Sequence, residues 1–250
     1  LSKNDLITIR SLLERSIALD SNNVDAQIQY ARSHYFNENF DIAIPILKNL
    51  INVCEKTNQE KLLGRVYRNL GNVLYFKWSY GKADFSDMPS LEYQKKAAKI
   101  ARNNDDMFGY RYAMGNILQS FSNFRDSETS IDSIHFYADK MLSYAKEKNN
   151  IEIEAMAYYR IGQFYQYSKS HTDNSESYYY INKAHHLSEN LNNSFKIDCK
   201  EALASLAYRD SDYYAQINYL EQVYKLSTQI SSNRKSAYSS YVLALAYNYP

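Results

Sequence analysis

The chain has 250 residues, with 29 Lys and Arg against 28 Asp and Glu, so its formal net charge is +1. This balance gives no basis for a nucleic-acid or anionic-membrane partner, because both require a surplus of basic side chains. Only 6 Gly and 3 Pro are present, which disfavours turn-rich β folds and glycine-rich nucleotide loops and favours a mostly helical protein. No apolar run in the sequence approaches the ~20 residues that a membrane span requires.

The predicted helices follow one another in pairs, and we call the first member of each pair the A helix and the second the B helix. Each A helix carries a large apolar residue followed by a small one, and these couplets recur every 40 to 47 residues. In chain order, the couplets are Tyr30-Ala31, Leu70-Gly71, Met114-Gly115, Ile161-Gly162, Leu203-Ala204 and Leu243-Ala244. Because glycine inside a helix costs about 1 kcal/mol relative to alanine, three glycines at one phase predict a close contact between helices.

A B helix is predicted after each of the first five couplets, beginning near Phe40, Tyr93, Phe136, Tyr180 and Tyr213. The apolar residues of these segments recur at i, i+3, i+4 and i+7, which places them on one face of a helix. Clusters of Asn, Asp and Ser occur at 20–23, 103–106, 190–194 and 231–233. We expect these clusters to supply helix N-caps and turns without Gly or Pro.

The couplets and their flanking residues resemble the tetratricopeptide repeat (TPR) family. The A helices that match well contain Tyr67, Leu70, Gly71 and Leu74 or Tyr158, Ile161, Gly162 and Tyr165, and the matching B helices contain Phe40, Ala43 and Leu47 or Tyr93 and Ala97. The resemblance covers nearly the whole chain and implies an all-α fold, a right-handed α-α superhelix (TPR-like solenoid) of antiparallel helix pairs. The family period is about 34 residues, so the longer spacing here predicts enlarged polar loops at 79–89, 122–130 and 168–175.

The same alignment predicts how the chain is organised. We expect residues 1–250 to form a single TPR-like solenoid domain of about four complete helix pairs, with half-repeats at 1–20 and 235–250. A solenoid end normally carries a polar cap, whereas Leu243 and Ala244 would lack a partner helix. The sequence therefore predicts a segment of a longer protein.

No catalytic pattern is evident, and the sequence predicts neither an enzyme nor a bound cofactor or metal. His185 and His186 are adjacent, so on a helix they point about 100° apart and cannot form the i, i+4 metal pair. His171 lies in a polar segment, where a weak metal site is possible but disfavoured. Cys54 and Cys199 are far apart in sequence, and we expect two inert core thiols.

The TPR resemblance implies a concave groove lined by the A helices, on which a protein or an extended peptide would bind. Projection of the family's groove positions gives thirteen candidate ligand-binding residues: Arg32, Tyr35, Arg65, Arg68, Asn72, Tyr75, Tyr112, Asn116, Gln119, Tyr159, Gln163, Gln166 and Tyr208. Tyrosine offers a large amphipathic contact area, and Asn and Gln amides can pair with a peptide backbone. The arginines would make the N-terminal part of the groove suitable for a carboxylate. The alternative is that these tyrosines only pack between neighbouring helices.

One TPR subtype binds chaperone tails through a carboxylate clamp, and this sequence matches it only in part. Arg68 and Asn72 fit the clamp of one repeat, but the next repeats have Ala113 and Met156 where Asn and a basic residue are required. We therefore do not predict a chaperone co-factor.

A second resemblance is to the sensor regions of Bacteroidetes TPR-containing signalling regulators, which share long-period repeats rich in Tyr, Asn and Ser. It implies a non-catalytic sensory region of a larger bacterial regulator, with a histidine-kinase or DNA-binding output module, as in two-component systems, and an extracytoplasmic (periplasmic) location. The alternatives are a soluble scaffold that docks by solenoid edges or forms a homodimer, and a cytoplasmic peptide-pheromone receptor. In every case we expect a protein or peptide partner, with no nucleic acid and no membrane span in this segment.

Overall fold

The computed structural model describes residues 3–81, 89–122, 128–167 and 174–230, together with 240, 242–244 and 247. All secondary structure in these ranges is helical, and none of these residues lies in a strand. The prediction of an all-α fold is confirmed. The chain divides into two compact units, residues 1–117 and 118–250, which we describe separately.

The first unit is a run of helices that pack on their neighbours in sequence. It contains α1 (Lys3–Leu19), α2 (Val24–Tyr35), α3 (Phe40–Lys56), α4 (Glu60–Gly81), α5 (Pro89–Asn103) and most of α6 (Met107–Ser122). Each of α1 to α4 contacts the next helix, and α2 also contacts α4, the A helix of the following pair. The core between them consists of fully buried aliphatic residues such as Ile28, Leu47, Leu50 and Leu70.

The second unit repeats this arrangement. It contains the end of α6, then α7 (Glu128–Lys148), α8 (Ile151–Tyr167), α9 (Ser175–Ser188), α10 (Asn193–Arg209) and α11 (Tyr213–Gln229). Each helix from α7 to α10 contacts the next, and α8 also contacts α10. Val242 and Leu243 pack against a small cluster that includes Ala204 and Leu220, so Leu243 has a packing partner that the sequence did not predict.

The A and B alternation predicted from the couplets is present in both units. Helix α1 packs on α2, and the pairs α2/α3, α4/α5, α8/α9 and α10/α11 each pack together. The described helices extend into the segments predicted as loops, because α4 continues to Gly81, α5 begins at Pro89 and α7 begins at Glu128. Residues 82–88, 123–127 and 168–173, which include His171, lie outside the described residues.

Five turns between helices are closed without glycine. The residues Glu38, Asn58, Asp105, Asn149 and Ser211 have φ between 48° and 62°, in the left-handed region. In each case the next residue donates its backbone N–H to the carbonyl five residues earlier, as in Asn39 to His34 (3.1 Å) and Asp212 to Ala207 (2.9 Å). This is the hydrogen bond of a Schellman motif, which normally has glycine in the left-handed position. The scarcity of glycine is therefore compatible with tight helix-to-helix turns.

The predicted Asn and Asp clusters do supply N-caps. The side-chain Oδ1 atoms of Asn23, Asp106 and Asn192 accept hydrogen bonds from the backbone N–H of the residue three positions later, at 2.9, 2.8 and 3.1 Å. Asp212 caps α11 in the same way at 3.0 Å. These bonds satisfy backbone donors that the first turn of a helix leaves unpaired. Residues 231–233 lie outside the described part of the chain.

Two of the glycines at the couplet position stand where another helix approaches. A Cβ at Gly71 would lie 2.6 Å from the side-chain nitrogen of Gln94, and one at Gly162 would lie 2.6 Å from Cδ1 of Ile181. Real Cβ atoms do not approach other heavy atoms so closely. The close helix contacts predicted from the glycine phase are confirmed at both positions.

Candidate binding site

Of the three arginines predicted in the first unit, Arg68 lies beside two exposed aromatic rings. The guanidinium carbon of Arg68 lies 5.4 Å from the ring centroid of Phe108 and 5.8 Å from that of Tyr112. Arg111, which is not among the predicted binding residues, lies 5.7 and 5.2 Å from the same two centroids. Arg65 instead pairs with Asp25 at 2.5 Å. A mixed basic and aromatic patch is formed by Phe108 and Tyr112 together with the guanidinium groups of Arg68 and Arg111.

Burial lowers the pKa of Arg68, and repulsion from Arg65 and Arg32 adds to this effect. The nearby carboxylate of Asp106 acts in the opposite direction and favours the charged form. An anionic ligand would act in the same direction as Asp106, since an opposite charge stabilises a partly desolvated guanidinium.

The predicted amides Asn72 and Asn116 are engaged with one another. The Oδ1 atom of Asn72 accepts one hydrogen bond from Nδ2 of Asn116 (2.7 Å) and another from Nε2 of Gln94 (2.8 Å). Gln94 is buried and also donates to the backbone carbonyl of Arg68 at 3.1 Å. The Asn72 oxygen therefore joins α4, α5 and α6, a structural role that the sequence did not reveal.

The remaining predicted residues of the first unit lie mainly in packed positions. Tyr35 is buried and stacks on Phe76, with centroids 5.9 Å apart and an interplanar angle of 19°. Tyr75 is half-buried beside Trp78 at 5.9 Å. Arg32 donates to Oε1 of Gln29 at 3.1 Å. Gln119 is half-buried and belongs to the second unit.

The second unit contains a cavity of about 570 Å³, a size that is typical of ligand pockets. Four of the predicted ligand-binding residues line it, namely Tyr159, Gln163, Gln166 and Tyr208. They come from the A helices α8 and α10. Because they occupy equivalent positions of the repeat, they lie on the same side of these two helices. We call this space the α8–α10 cavity.

Hydrogen bonds fix the orientation of the α8 side chains in this cavity. Nε2 of Gln163 donates to the hydroxyl oxygen of Tyr159 at 3.0 Å, and its Oε1 accepts from Nη1 of Arg160 at 2.7 Å. Burial raises the pKa of Tyr159, and the neighbouring Asp198 carboxylate raises it further. The phenol therefore stays neutral at physiological pH and retains its proton as a hydrogen-bond donor.

Two glutamines in the cavity wall have buried oxygen atoms. Gln166 is 2% exposed, and its Nε2 donates to the carbonyl of Ala202 at 3.3 Å, which assigns the other end of the amide as Oε1. Gln216, on α11, is 8% exposed. Neither Oε1 atom accepts a hydrogen bond from the described residues. Buried amide oxygens without a donor are rare, and both belong to residues that line the cavity.

Several lining residues were not predicted as ligand-binding. They are Tyr167, Asp198, Glu201, Ala202, Ala204, Ser205, Tyr213, Gln216, Leu220 and Val242. Glu201 and Ser205 stand at projected groove positions of the same repeat as Tyr208, although they are not among the thirteen candidates. Residues such as Tyr213 and Gln216 come from the B helix α11, which a projection of A helices alone does not sample.

His185, His186 and the two cysteines lie on described helices. His185 is half-buried, and burial lowers its pKa, whereas His186 is exposed. Cys54 and Cys199 are buried free thiols, and burial raises the pKa of Cys199 to about 12. In the described ranges, no group of three or more His, Cys, Asp and Glu side chains is placed to hold a metal ion.

These helices define an all-α helical repeat of the kind that the TPR resemblance predicts, with A and B helices packed in sequence order. None of the described helices is long and apolar enough to span a membrane. The chain matches no known protein-family model and no curated protein. Its fold is similar to the crystal structure of BtubC (BKLC) from P. vanneervenii, with a TM-score of 0.63, 14% sequence identity, and coverage of 92% of this chain and 91% of that one. A looser match, with a TM-score of 0.34 and 13% identity over 96% of this chain and 91% of the other, is the TPR2AB-domain:pHSP90 complex of yeast Sti1.

Proposed function

We propose that this chain is a non-catalytic module that binds an extended peptide, or an extended segment of a partner protein, on the face formed by its A helices. The α8–α10 cavity is the observation that carries this proposal. Tyr159, Gln163, Gln166 and Tyr208 were selected by projecting the groove positions of the TPR family onto this sequence, and all four line one cavity. The open space of about 570 Å³ beside these side chains supports a binding role in addition to packing.

The chemistry of the cavity wall supports a peptide ligand. Peptide backbones present alternating N–H donors and carbonyl acceptors, and glutamine amides and tyrosine hydroxyls can pair with both. Tyrosine rings add large contact areas at a small cost in conformational entropy. In the first unit, the exposed rings of Phe108 and Tyr112 lie beside the guanidinium groups of Arg68 and Arg111, and this patch suits an acidic side chain.

At a finer level, we propose that the module is the sensory region of a larger bacterial signalling regulator with a histidine-kinase or DNA-binding output. This step rests on the sequence resemblance described above. Sequencing of the reading frame on both sides of residues 1 and 250 tests it. A membrane span followed by such an output module would support it, whereas further repeats that end in a polar cap would support a scaffold instead.

The binding proposal is tested with a displayed library of random decapeptides selected on the purified 250-residue chain. Tyr208→Ala removes an exposed ring from the cavity rim and is expected to weaken the selected peptides by about tenfold or more, as for an interface anchor. Tyr214→Ala is the matched control, because Tyr214 lies in the same unit, is 87% exposed and does not line the cavity. Selected peptides that lose equal affinity with both variants, or with neither, would refute the assignment of the cavity.

A further inference from the structure

We propose that the contact between His185 and Lys200 makes the second unit sensitive to pH, because it joins α9, α10 and α11 in neutral solution and is broken more readily in mild acid. His185 lies on α9 and Lys200 on α10, and Lys200 also bonds to Gln222 on α11. The inference concerns the conformation of the second unit and does not depend on the ligand that the chain binds.

The contact centres on a buried lysine. Lys200 is 8% exposed, and a buried ammonium group requires hydrogen-bond acceptors because its removal from water is costly. Its Nζ atom donates to Oε1 of Gln222 at 2.8 Å and lies 3.4 Å from Nε2 of His185. Neither of these two acceptors carries a negative charge. Among the described residues, the ammonium group therefore depends on His185 for one of its two hydrogen bonds.

The geometry requires a neutral imidazole. An ammonium group has only donors, so Nε2 of His185 can bond to Lys200 only as an acceptor, with the ring proton on Nδ1. The Nδ1 atom lies 3.4 Å from Oγ of Ser188 and 3.8 Å from Oε1 of Glu189, and either oxygen is suited to accept that proton. Protonation of Nε2 would remove the hydrogen bond and place two positive charges side by side.

The charged groups around the imidazole act in both directions. Burial lowers the pKa of His185, and repulsion from Lys200 lowers it further. His186 and Lys196 add to this effect, whereas Glu189 opposes it. Glu189 is 55% exposed, and its other oxygen lies 3.8 Å from Nζ of Lys196, so water and a second cation weaken its influence. None of these charged groups lies on α8 or α11.

Acid should therefore favour the state in which the contact is broken. When α9 separates from α10, His185 becomes solvated and its pKa returns towards the ordinary 6.5. A histidine whose pKa is lower in the closed state stabilises that state above pH 6.5, and this stabilisation is lost as the pH falls below 6.5. For one imidazole, the opening equilibrium rises by at most about tenfold between pH 7.5 and pH 5.5. Since α10 and α11 both line the α8–α10 cavity, acid would loosen two of its walls.

The test is hydrogen exchange of the intact chain at pH 7.5 and 5.5, with the protection of α9, α10 and α11 corrected for the intrinsic pH dependence of exchange. We expect protection to fall several-fold at pH 5.5, within the limit of about tenfold. His185→Gln keeps an amide oxygen that can accept from Lys200 but does not titrate, and it should remove most of this fall. His186→Gln is the matched control, because His186 is the next residue and is exposed, and it should preserve the fall.

A titration of the wild-type chain gives a second readout that does not rely on a variant. In NMR spectra of the imidazole rings, His185 should titrate below pH 6.5, and Lys200→Met should raise its pKa. Another histidine of this unit, His135, bonds to the hydroxyl of Tyr165 at 2.8 Å. It is present in both glutamine variants, so its contribution to the pH dependence cancels when they are compared.

Three results would overturn the inference. They are a corrected protection of α9, α10 and α11 that does not change with pH, equal effects of His185→Gln and His186→Gln, and a pKa of His185 at or above 6.5 in the folded chain. None of them bears on peptide binding, which is tested with Tyr208→Ala. Conversely, a failure to select any peptide would leave the pH-sensitive contact intact.

Discussion

The contact between Gly162 and α9 allows a sharp prediction about stability. Replacing Gly162 with Ala would normally stabilise a helix by about 1 kcal/mol. Here the new Cβ would lie 2.6 Å from Cδ1 and 2.7 Å from Cγ1 of Ile181, and 3.0 Å from the backbone nitrogen of the same residue. The side-chain atoms could rotate away, but the backbone nitrogen can move only if α9 shifts as a whole.

The expected result is a net loss of stability. Forcing a methyl group into a packed core costs about 1–3 kcal/mol, and the backbone contact places Gly162→Ala in the upper part of that range. After subtraction of the helix-propensity gain, the free energy of unfolding should fall by about 1–2 kcal/mol. A further cost comes from any shift of Ser177, whose buried hydroxyl donates to the carbonyl of Gly162 at 2.9 Å.

The assay is urea denaturation followed by circular dichroism, with hydrogen exchange of α8 and α9 to localise the effect. A double-mutant cycle with Ile181→Ala isolates the contact, because this change removes both side-chain atoms that the new methyl group would meet. Ile181→Ala alone leaves a cavity and costs about 2–5 kcal/mol, but in the Gly162→Ala background the methyl group partly fills that cavity, and the cost should be smaller. A Gly162→Ala variant that is more stable than the wild type, with independent effects in the cycle, would refute the packing argument.

Three further predictions concern the described polar and turn residues. His34 is buried, and neither of its ring nitrogens has a hydrogen-bond partner among the described residues. Burial lowers the pKa of His34 below the usual 6.5. Because only the unfolded state takes up a proton just below pH 6.5, the free energy of unfolding falls on acidification. His34→Leu should therefore stabilise the chain by about 1 kcal/mol at pH 7, and urea midpoints between pH 7 and 5 should show this advantage growing; a constant difference would contradict the pKa argument. Glu38→Gly and Ser211→Gly place glycine at φ of 62° and 60°, so each should raise the free energy of unfolding by about 0.5–1 kcal/mol. A loss of stability in thermal or urea denaturation would show that these turns do not favour glycine. Asn72→Ala deprives two donor side chains of their common acceptor and should cost about 1–3 kcal/mol in urea denaturation; a change below a few tenths of a kcal/mol would contradict the structural role of this amide.

The helix pairs were predictable because their signals are local. A glycine or alanine that recurs at one position of the repeat indicates a close helix contact, and this is confirmed at Gly71 and Gly162. An Asn or Asp before an apolar run indicates a helix N-cap, and this is confirmed at Asn23 and Asn192. Such features depend on residues a few positions apart, so one sequence is sufficient. The end of α4 was harder to predict, because residues 79–81 continue the helix without a clear stop signal.

The candidate site was predictable only in part, because it depends on contacts between distant residues. The repeat phase identifies which side of α8 faces the cavity, and hence Gln163 and Gln166. It does not reveal that the amide of Asn72 is held by Gln94 and Asn116, since this depends on the rotamers of three helices. Tyr35 illustrates the same limit, because stacking on Phe76 buries a ring that the projection places in the groove.

The packing of each helix mainly on its sequence neighbours has a kinetic consequence. Residues in contact are separated by only a short stretch of chain, so the contact order within each unit is low. Chains of this topology fold rapidly and can begin to fold at several places. They also lose structure from their ends, where a helix has a neighbour on one side only. Among the described helices, α1 contacts α2 alone, and its amide protons should therefore exchange with solvent before those of α3 and α4, which each contact a helix on both sides. Truncation of α1 would then move the labile end to α2 rather than unfold the whole unit.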